Sequence, residues 1–248
     1  MHAGYLVSMR RHQPSRPGVH FAGSLLSRTV IALVLWMALA SPAFAHVPAL
    51  EPSVPADEPA RIGGPDVSRA IYGYLDPSES ADLYEFDVEE SVGRVVGLLV
   101  PAHEEHADFR PTLIVEADGI EPLTIEDPGA SPRETEWEPF SLTTFWVGGE
   151  NRVRFEEGRR YTLRVQPGGG DNSGRYVIVF SGPEEFSGSD TATTTRILPR
   201  IWFGAYDDAP WRWNWYGALV LLVVLAIIAA AVLAVIRVAR SVRGRSAA

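Results

Sequence analysis

The sequence contains no cysteine. That excludes a disulfide framework, a cysteine-ligated metal and a thiol nucleophile, so any folded domain must be held by its own core. Lysine is absent too, since all 22 basic residues are arginine; we read this as a compositional habit without functional weight. Acidic residues are missing from both ends: all 31 fall between Glu51 and Asp208, where only 13 arginines oppose them. A balance of −18 there disfavours nucleic acid and anionic lipid, and suits cations, a basic partner or a plainly solvated surface. Complete catalytic signatures are also lacking, with no G-x-S-x-G, Walker A or dinucleotide fingerprint.

What is present is one long run without charge or proline, Gly217 to Ile236. Twenty residues at about 1.5 Å of helical rise reach roughly 30 Å, the thickness of a bilayer's hydrocarbon core. In lipid only a helix satisfies the backbone of a lone crossing segment. Trp211, Trp213, Trp215 and Tyr216 precede the run as amphipathic rings suited to headgroup level, and Arg237, Arg240, Arg243 and Arg245 follow it. Arginines collect on the cytoplasmic side, which predicts a single-pass cell-membrane protein with its C-terminus inside and its N-terminal part extracytoplasmic.

Residues 1–45 read as a secretion signal, with Arg10, Arg11, Arg16 and Arg28 ahead of the apolar run Thr29 to Ala40 and an A-x-A site at Ala43-Phe44-Ala45. Either Met1 or Met9 is the start. Residues 46–66 form a Pro-rich lead-in, expected as an extended spacer or sheet edge. Residues 67–182 carry strand signals. In Asp82 to Val88, Tyr84, Phe86 and Val88 alternate with Glu85 and Asp87, and in Arg159 to Gln166, Tyr161, Leu163 and Val165 alternate with polar residues. Arg94 to Val100 is nearly continuously apolar and is expected as a central strand. Turns are expected at Asp76-Pro77, Asp118-Gly119 and Gly148-Gly149, and a hairpin loop from Pro167 to Gly174. The pattern predicts an all-β ectodomain, an antiparallel β-sandwich, plus one C-terminal transmembrane helix at 214–236. Residues 183–213, rich in Ser, Thr and acids, are expected to be a juxtamembrane stalk, and 237–248 a basic tail.

The order GYLDPSESADLYEFDV, DFRPTLIVEADG, EEGRRYTLRV and SGRYVIVFSG, over about Ala70 to Ser181 without the insert Ile120 to Gly149, resembles the pre-peptidase C-terminal domain, a jelly-roll module. Its motifs are "D-x-Y-x-F", "F-x-P-x-L" with a D-G turn, "G-x-Y-x-L-x-V" and a closing "G-x-Y-x-L". The resemblance implies a non-catalytic extracellular accessory or binding sandwich. This chain departs from that pattern in lacking an attached peptidase, in its insert around Trp137, Phe140 and Trp146, and in its anchor.

Candidate chemistry is sparse. His103-Glu104-Glu105-His106 spaces its imidazoles three apart, one short of the zincin H-E-x-x-H. A looser metal site would use His103, His106 and Asp108. Signal cleavage would free the α-amino group of His46, and with His103 or His106 this nitrogen set suits Cu(II). Calcium is the other cation admitted, at acidic turns such as Asp76 to Asp82 or Asp171-Asn172, although no EF-hand spacing occurs. Adjacent acids such as Glu104 and Glu105, or Glu156 and Glu157, would need burial to act as a glycosidase pair. Trp137 and Trp146 are a candidate ligand platform, with core packing as their ordinary use. Ala226, Ala230 and Ala234 form a small-residue face that admits a homodimer.

The expectation is a non-enzymatic membrane protein displaying an acidic β-sandwich for binding, or as an accessory subunit of an envelope complex. The lipid bilayer and an envelope protein are its partners, nucleic acid is not, and no cofactor is needed. The alternative is a copper-binding surface protein using His46.

Overall fold

A computed structural model of the chain describes residues 46–246, except 53, 55–57, 79, 128–131, 171–172, 184–187, 206–208 and 210. The chain divides into two units, Met1–Ala43 and Phe44–Ala248. The expected secretion signal, with its cleavage site, lies outside the described residues.

Eleven strands are described: β1 (Val47–Leu50), β2 (Ala60–Arg61), β3 (Arg69–Leu75), β4 (Asp82–Asp87), β5 (Val92–Pro101), β6 (Phe109–Ala117), β7 (Ile120–Ile125), β8 (Thr135–Glu138), β9 (Thr143–Phe155), β10 (Arg160–Gly170) and β11 (Gly174–Ser181). One sheet runs β1-β3-β11-β5-β9-β8 and the other β2-β4-β10-β6-β7. The lead-in therefore supplies an edge to each sheet, β1 beside β3 and β2 beside β4, and both of these edge pairs are parallel. The insert does the same at the far edges: β7 pairs with β6 in one sheet and β8 with β9 in the other.

Period-two alternation builds the core. In β4 it turns Tyr84 and Phe86 inward, and in β10 Tyr161, Leu163 and Val165, to meet Ile71, Val96, Leu98, Phe155, Ile178 and Phe180 from the other sheet. Phe86 has its ring 5.5 Å from Phe155, 5.7 Å from Phe180 and 5.8 Å from Tyr161. Burying each such ring contributes roughly 1.5–3 kcal/mol, which is how a domain without disulfides holds together. β5 is the central strand its apolar run predicts, flanked by β11 and β9.

Two turn expectations need correction. β9 runs unbroken through Gly148-Gly149, because these glycines serve close approach rather than reversal. A Cβ on Gly148 would lie 2.6 Å from the Leu98 carbonyl oxygen, and one on Gly149 only 2.0 Å from that of Glu126. The expected hairpin at Pro167 to Gly174 is not one: β10 continues to Gly170 paired with β6, while β11 lies in the other sheet between β3 and β5, so the glycine-rich stretch links the two sheets.

The stretch expected as a stalk carries helix α1 (Gly188–Trp202). β11 is buried on both faces: Tyr176, Ile178 and Phe180 point between the sheets, while Val177 and Val179 join Ala70, Tyr72, Phe145 and Ile201 in a second cluster. Ile201, at 4% exposure, belongs to α1. Without this cover the outer face of the six-stranded sheet would expose an apolar patch, and that is why a Ser/Thr-rich stretch folds back onto it. Helix α2 (Trp215–Ser246) follows. Its segment Trp215–Arg237, 23 residues, is long and apolar enough to cross a membrane.

Candidate membrane-proximal site

The start of α2 is fastened to the sandwich by side chains from four places in the chain. Asn214 is the helix N-cap: its Oδ1 accepts from the backbone N–H of Tyr216 at 2.9 Å and of Gly217 at 3.2 Å, while its Nδ2 donates to the Leu142 carbonyl at 3.3 Å. Leu142 holds φ = 55°, the left-handed region that a branched side chain seldom occupies. Glu138 supports that loop by accepting from the N–H groups of Phe140 and Ser141 at 2.8 and 2.6 Å. The indole N–H of Trp202 donates to the Phe140 carbonyl at 2.8 Å, and Trp137 meets Tyr216 edge-on at 5.7 Å.

A charged clasp lies beside these contacts. Glu105 Oε1 accepts from Arg212 Nη1 at 2.8 Å and from Arg175 Nη1 at 3.0 Å. Arg175, on β11, is 3% exposed. Its guanidinium lies 6.0 Å from the Tyr74 ring centre and 3.3 Å from His106 Nε2. Gly204, at φ = 59°, passes so close that a Cβ there would stand 2.8 Å from Arg175 Nε, so only glycine fits both the turn and the gap. Burial pushes His103 and His106 down from 6.5 to about 4; the nearby arginines add to the effect and Glu105 opposes it. Both imidazoles are therefore neutral at pH 7.

Between the clasp, the Leu142 loop and the N-cap lies a cleft of about 320 Å³, walled by Tyr72, His103, Trp137, Arg212, Trp213 and Tyr216 among others. Its outer rim continues as an aromatic ladder. Phe203 stacks on Trp211 at 5.8 Å, Trp211 meets Trp213 at 5.7 Å, and Trp213 meets Trp215 at 5.2 Å. Trp211, Trp213, Trp215 and Tyr216 are all exposed.

The expected metal ligands are not gathered. His46 Nδ1 bonds the Ser68 hydroxyl, whereas His103 and His106 lie among Arg175 and Arg212, whose positive charge would repel a cation. Among the described residues no group of three or more His, Asp or Glu is placed to hold a metal. Trp137 and Trp146 likewise have separate neighbours: Trp146 is half-buried beneath Arg133, 4.7 Å from its ring centre. Glu104 and Glu105 are exposed, without the burial an acid–base pair requires. Two other carboxylates do approach each other through the core. Tyr84 donates to Glu51 at 2.6 Å, Tyr176 donates to Asp82, and the two hydroxyls meet at 2.5 Å. The phenols stand between the acids and bond both of them, and burial holds both phenol pKa values well above 10.0.

Sequence reasoning missed Arg175, Arg212 and Asn214. Asn214 had a usable signal, a capping residue directly before the apolar helix. Arg175 had none, because its partners are distant in the chain.

No protein-family model matches the chain, and no curated protein matches it. Solved structures do show similarity. The pre-peptidase C-terminal domain of a collagenase from Bacillus anthracis aligns with 52% of this chain and 100% of its own at 16% identity, with a TM-score of 0.34. Xyl-CBM35, in complex with a disaccharide containing glucuronic acid, aligns with 47% of this chain and 79% of its own at 12% identity and a TM-score of 0.29. CBM35 from Cellvibrio japonicus Abf62 aligns over 42% and 71% respectively, at 15% identity and a TM-score of 0.25.

Proposed function

We propose that this chain is a single-pass membrane protein that holds an acidic β-sandwich against the extracytoplasmic face of the bilayer, as a binding module or accessory subunit of an envelope assembly, without catalysis of its own. The observation that carries this reading is the fastening of Trp215–Arg237 to the sandwich through Asn214, the Trp137–Tyr216 contact and the Glu105–Arg212 pair. A domain tied so closely to its helix presents a defined orientation to a neighbour, which a free stalk would not. The Tyr84–Tyr176 contact, which stands between the paired acids Glu51 and Asp82 and bonds both, supports the non-catalytic part. Arg237, Arg240, Arg243 and Arg245 support the cytoplasmic placement of the tail.

The absence of cysteine makes the test clean, because each introduced thiol is the sole one. Glu121→Cys and Ala248→Cys variants are labelled with a membrane-impermeant maleimide on intact cells or spheroplasts. Labelling at 121 with protection at 248 is the expected result; the opposite pattern rejects the orientation. Crosslinking from position 121 then identifies the neighbouring protein.

A further inference from the structure

The cleft of about 320 Å³ occupies a constrained position. Trp213, Asn214, Trp215 and Tyr216 contribute to its wall and also lead directly into the span, so its contents sit at the depth where the helix enters the bilayer. The remaining wall comes from the sandwich, through Tyr72 and Phe145, and from Ile201 and Trp202 of α1, and is mostly apolar. Charge in the wall comes from Arg212, with the buried Arg175 behind it, and the neutral polar groups are His103, Ser141, Thr143, Thr144 and Asn214. A guanidinium carries five N–H donors in a planar fork, and Glu105 engages Nη1. The local sign is also unusual for this ectodomain, where 31 acidic residues face 13 arginines over Glu51 to Asp208. At the cleft Arg175 and Arg212 converge on Glu105, and the neighbouring imidazoles are neutral. An acidic domain that should stand off an anionic surface thus carries a basic, ring-lined crevice at the place where it meets the membrane.

We propose that this cleft seats the phosphate headgroup of one phospholipid of the outer leaflet, with Arg212 paired to the phosphate and Trp213 and Trp215 against the glycerol region. Arginine suits a phosphate because its fork matches two oxygens at once, and indole rings settle at the depth of the glycerol backbone. A bound lipid would complete the seat of the sandwich on the membrane and fix its tilt. A lipid also fits the cleft better than a peptide does, since the wall is continuous with the surface that lipid must already cover around the first turn of α2.

The inference rests on Trp215–Arg237 being a span, and the test keeps the two separable. The full chain is extracted from membranes, delipidated in detergent and analysed by native mass spectrometry for retained phospholipid, alongside Arg212→Ala, Arg212→Lys, Trp213→Ala and, as a tail control, Arg240→Ala. Wild type is expected to keep one phospholipid and Arg240→Ala to keep it equally. Arg212→Ala should retain about fivefold less, the effect of one basic residue near an anionic headgroup. Arg212→Lys, which keeps the charge and loses the fork, should fall between, and this guards against a loss of folding in the alanine variant. Lipid-free wild type, or equal retention in Arg212→Ala, overturns the proposal. A photo-crosslinker at position 213 that captures protein in place of lipid overturns it as well. Release of the chain from membranes by alkaline carbonate would instead reject the span itself.

Discussion

Glu105 and Arg212 stand 107 residues apart in the chain and 2.8 Å apart in space. The pair joins a short turn after β5 to the segment that leads into α2, and the same carboxylate oxygen also accepts from the buried Arg175. The Glu105 side chain is half-exposed, so the Arg212 contact alone is worth little in stability. Its partner Arg175 is buried, and removing an acceptor from a buried guanidinium costs more than removing one from an exposed group. Glu105→Ala should therefore destabilise the sandwich by about 1–2 kcal/mol, and Arg212→Ala by about 0–1 kcal/mol. Thermal melts of the full chain in detergent compare the two directly. Equal effects would mean that Arg175 does not depend on Glu105.

The histidines set a pH window. Both have folded-state values lowered to about 4 from 6.5, so the unfolded chain binds more protons than the folded one between those limits. Stability should be level above pH 6.5 and decline as the pH falls toward about 4. Asp76 and Asp87 are lowered from 3.8, by the Ser78 hydrogen bonds and by Arg160 respectively, and so erode stability only at still lower pH. Melting temperature against pH for wild type and His106→Gln checks this, since the variant should show a shallower decline from 6.5 to 4. Because the protonated imidazole would face Arg175 and Arg212, the loss should appear first as proteolysis near Phe203.

The buried phenol pair predicts strong coupling. Replacing Tyr84 by Phe removes the hydroxyl that donates to Glu51 and meets Tyr176. Each single Tyr→Phe change should cost about 1–3 kcal/mol by leaving a buried polar partner unmatched. The double variant should cost less than the sum, with a coupling of roughly 0.5–3 kcal/mol. Urea unfolding of the four proteins measures the cycle, and strict additivity would show that the hydroxyls act independently.

Ile201 distinguishes a docked helix from a stalk. It is buried among Tyr72, Phe145, Val177 and Val179, so Ile201→Ala should cost about 2–5 kcal/mol. On a solvated stalk the same change would be neutral. Hydrogen exchange across 188–202 offers a second readout, with protection expected in wild type and lost in the variant.

The strands were legible because their side chains alternate locally: Tyr84, Phe86, Tyr161 and Leu163 announce their faces within a few residues. The helix over 188–202 was not. Its apolar contacts, Ile197 and Ile201, are spaced as on one helical face, but the Thr-rich composition around them reads as a linker. Gly148-Gly149 failed for a related reason, since glycine marks both turns and close approaches, and only the position of Leu98 and Glu126 tells which.

By itself the sequence determined the apolar span, its aromatic and arginine flanks, the acidic character of the remainder and the β-rich class. Each of these follows from composition or from periodicity along a few neighbouring residues. Only the tertiary structure decided that the insert completes an edge of each sheet, that α1 covers the outer face, and that Arg175, Glu105, Arg212 and Asn214 fasten the domain to its helix. Those depend on residues tens to more than a hundred positions apart, and local pattern carries no information about which distant side chains will share one small volume from which water is excluded.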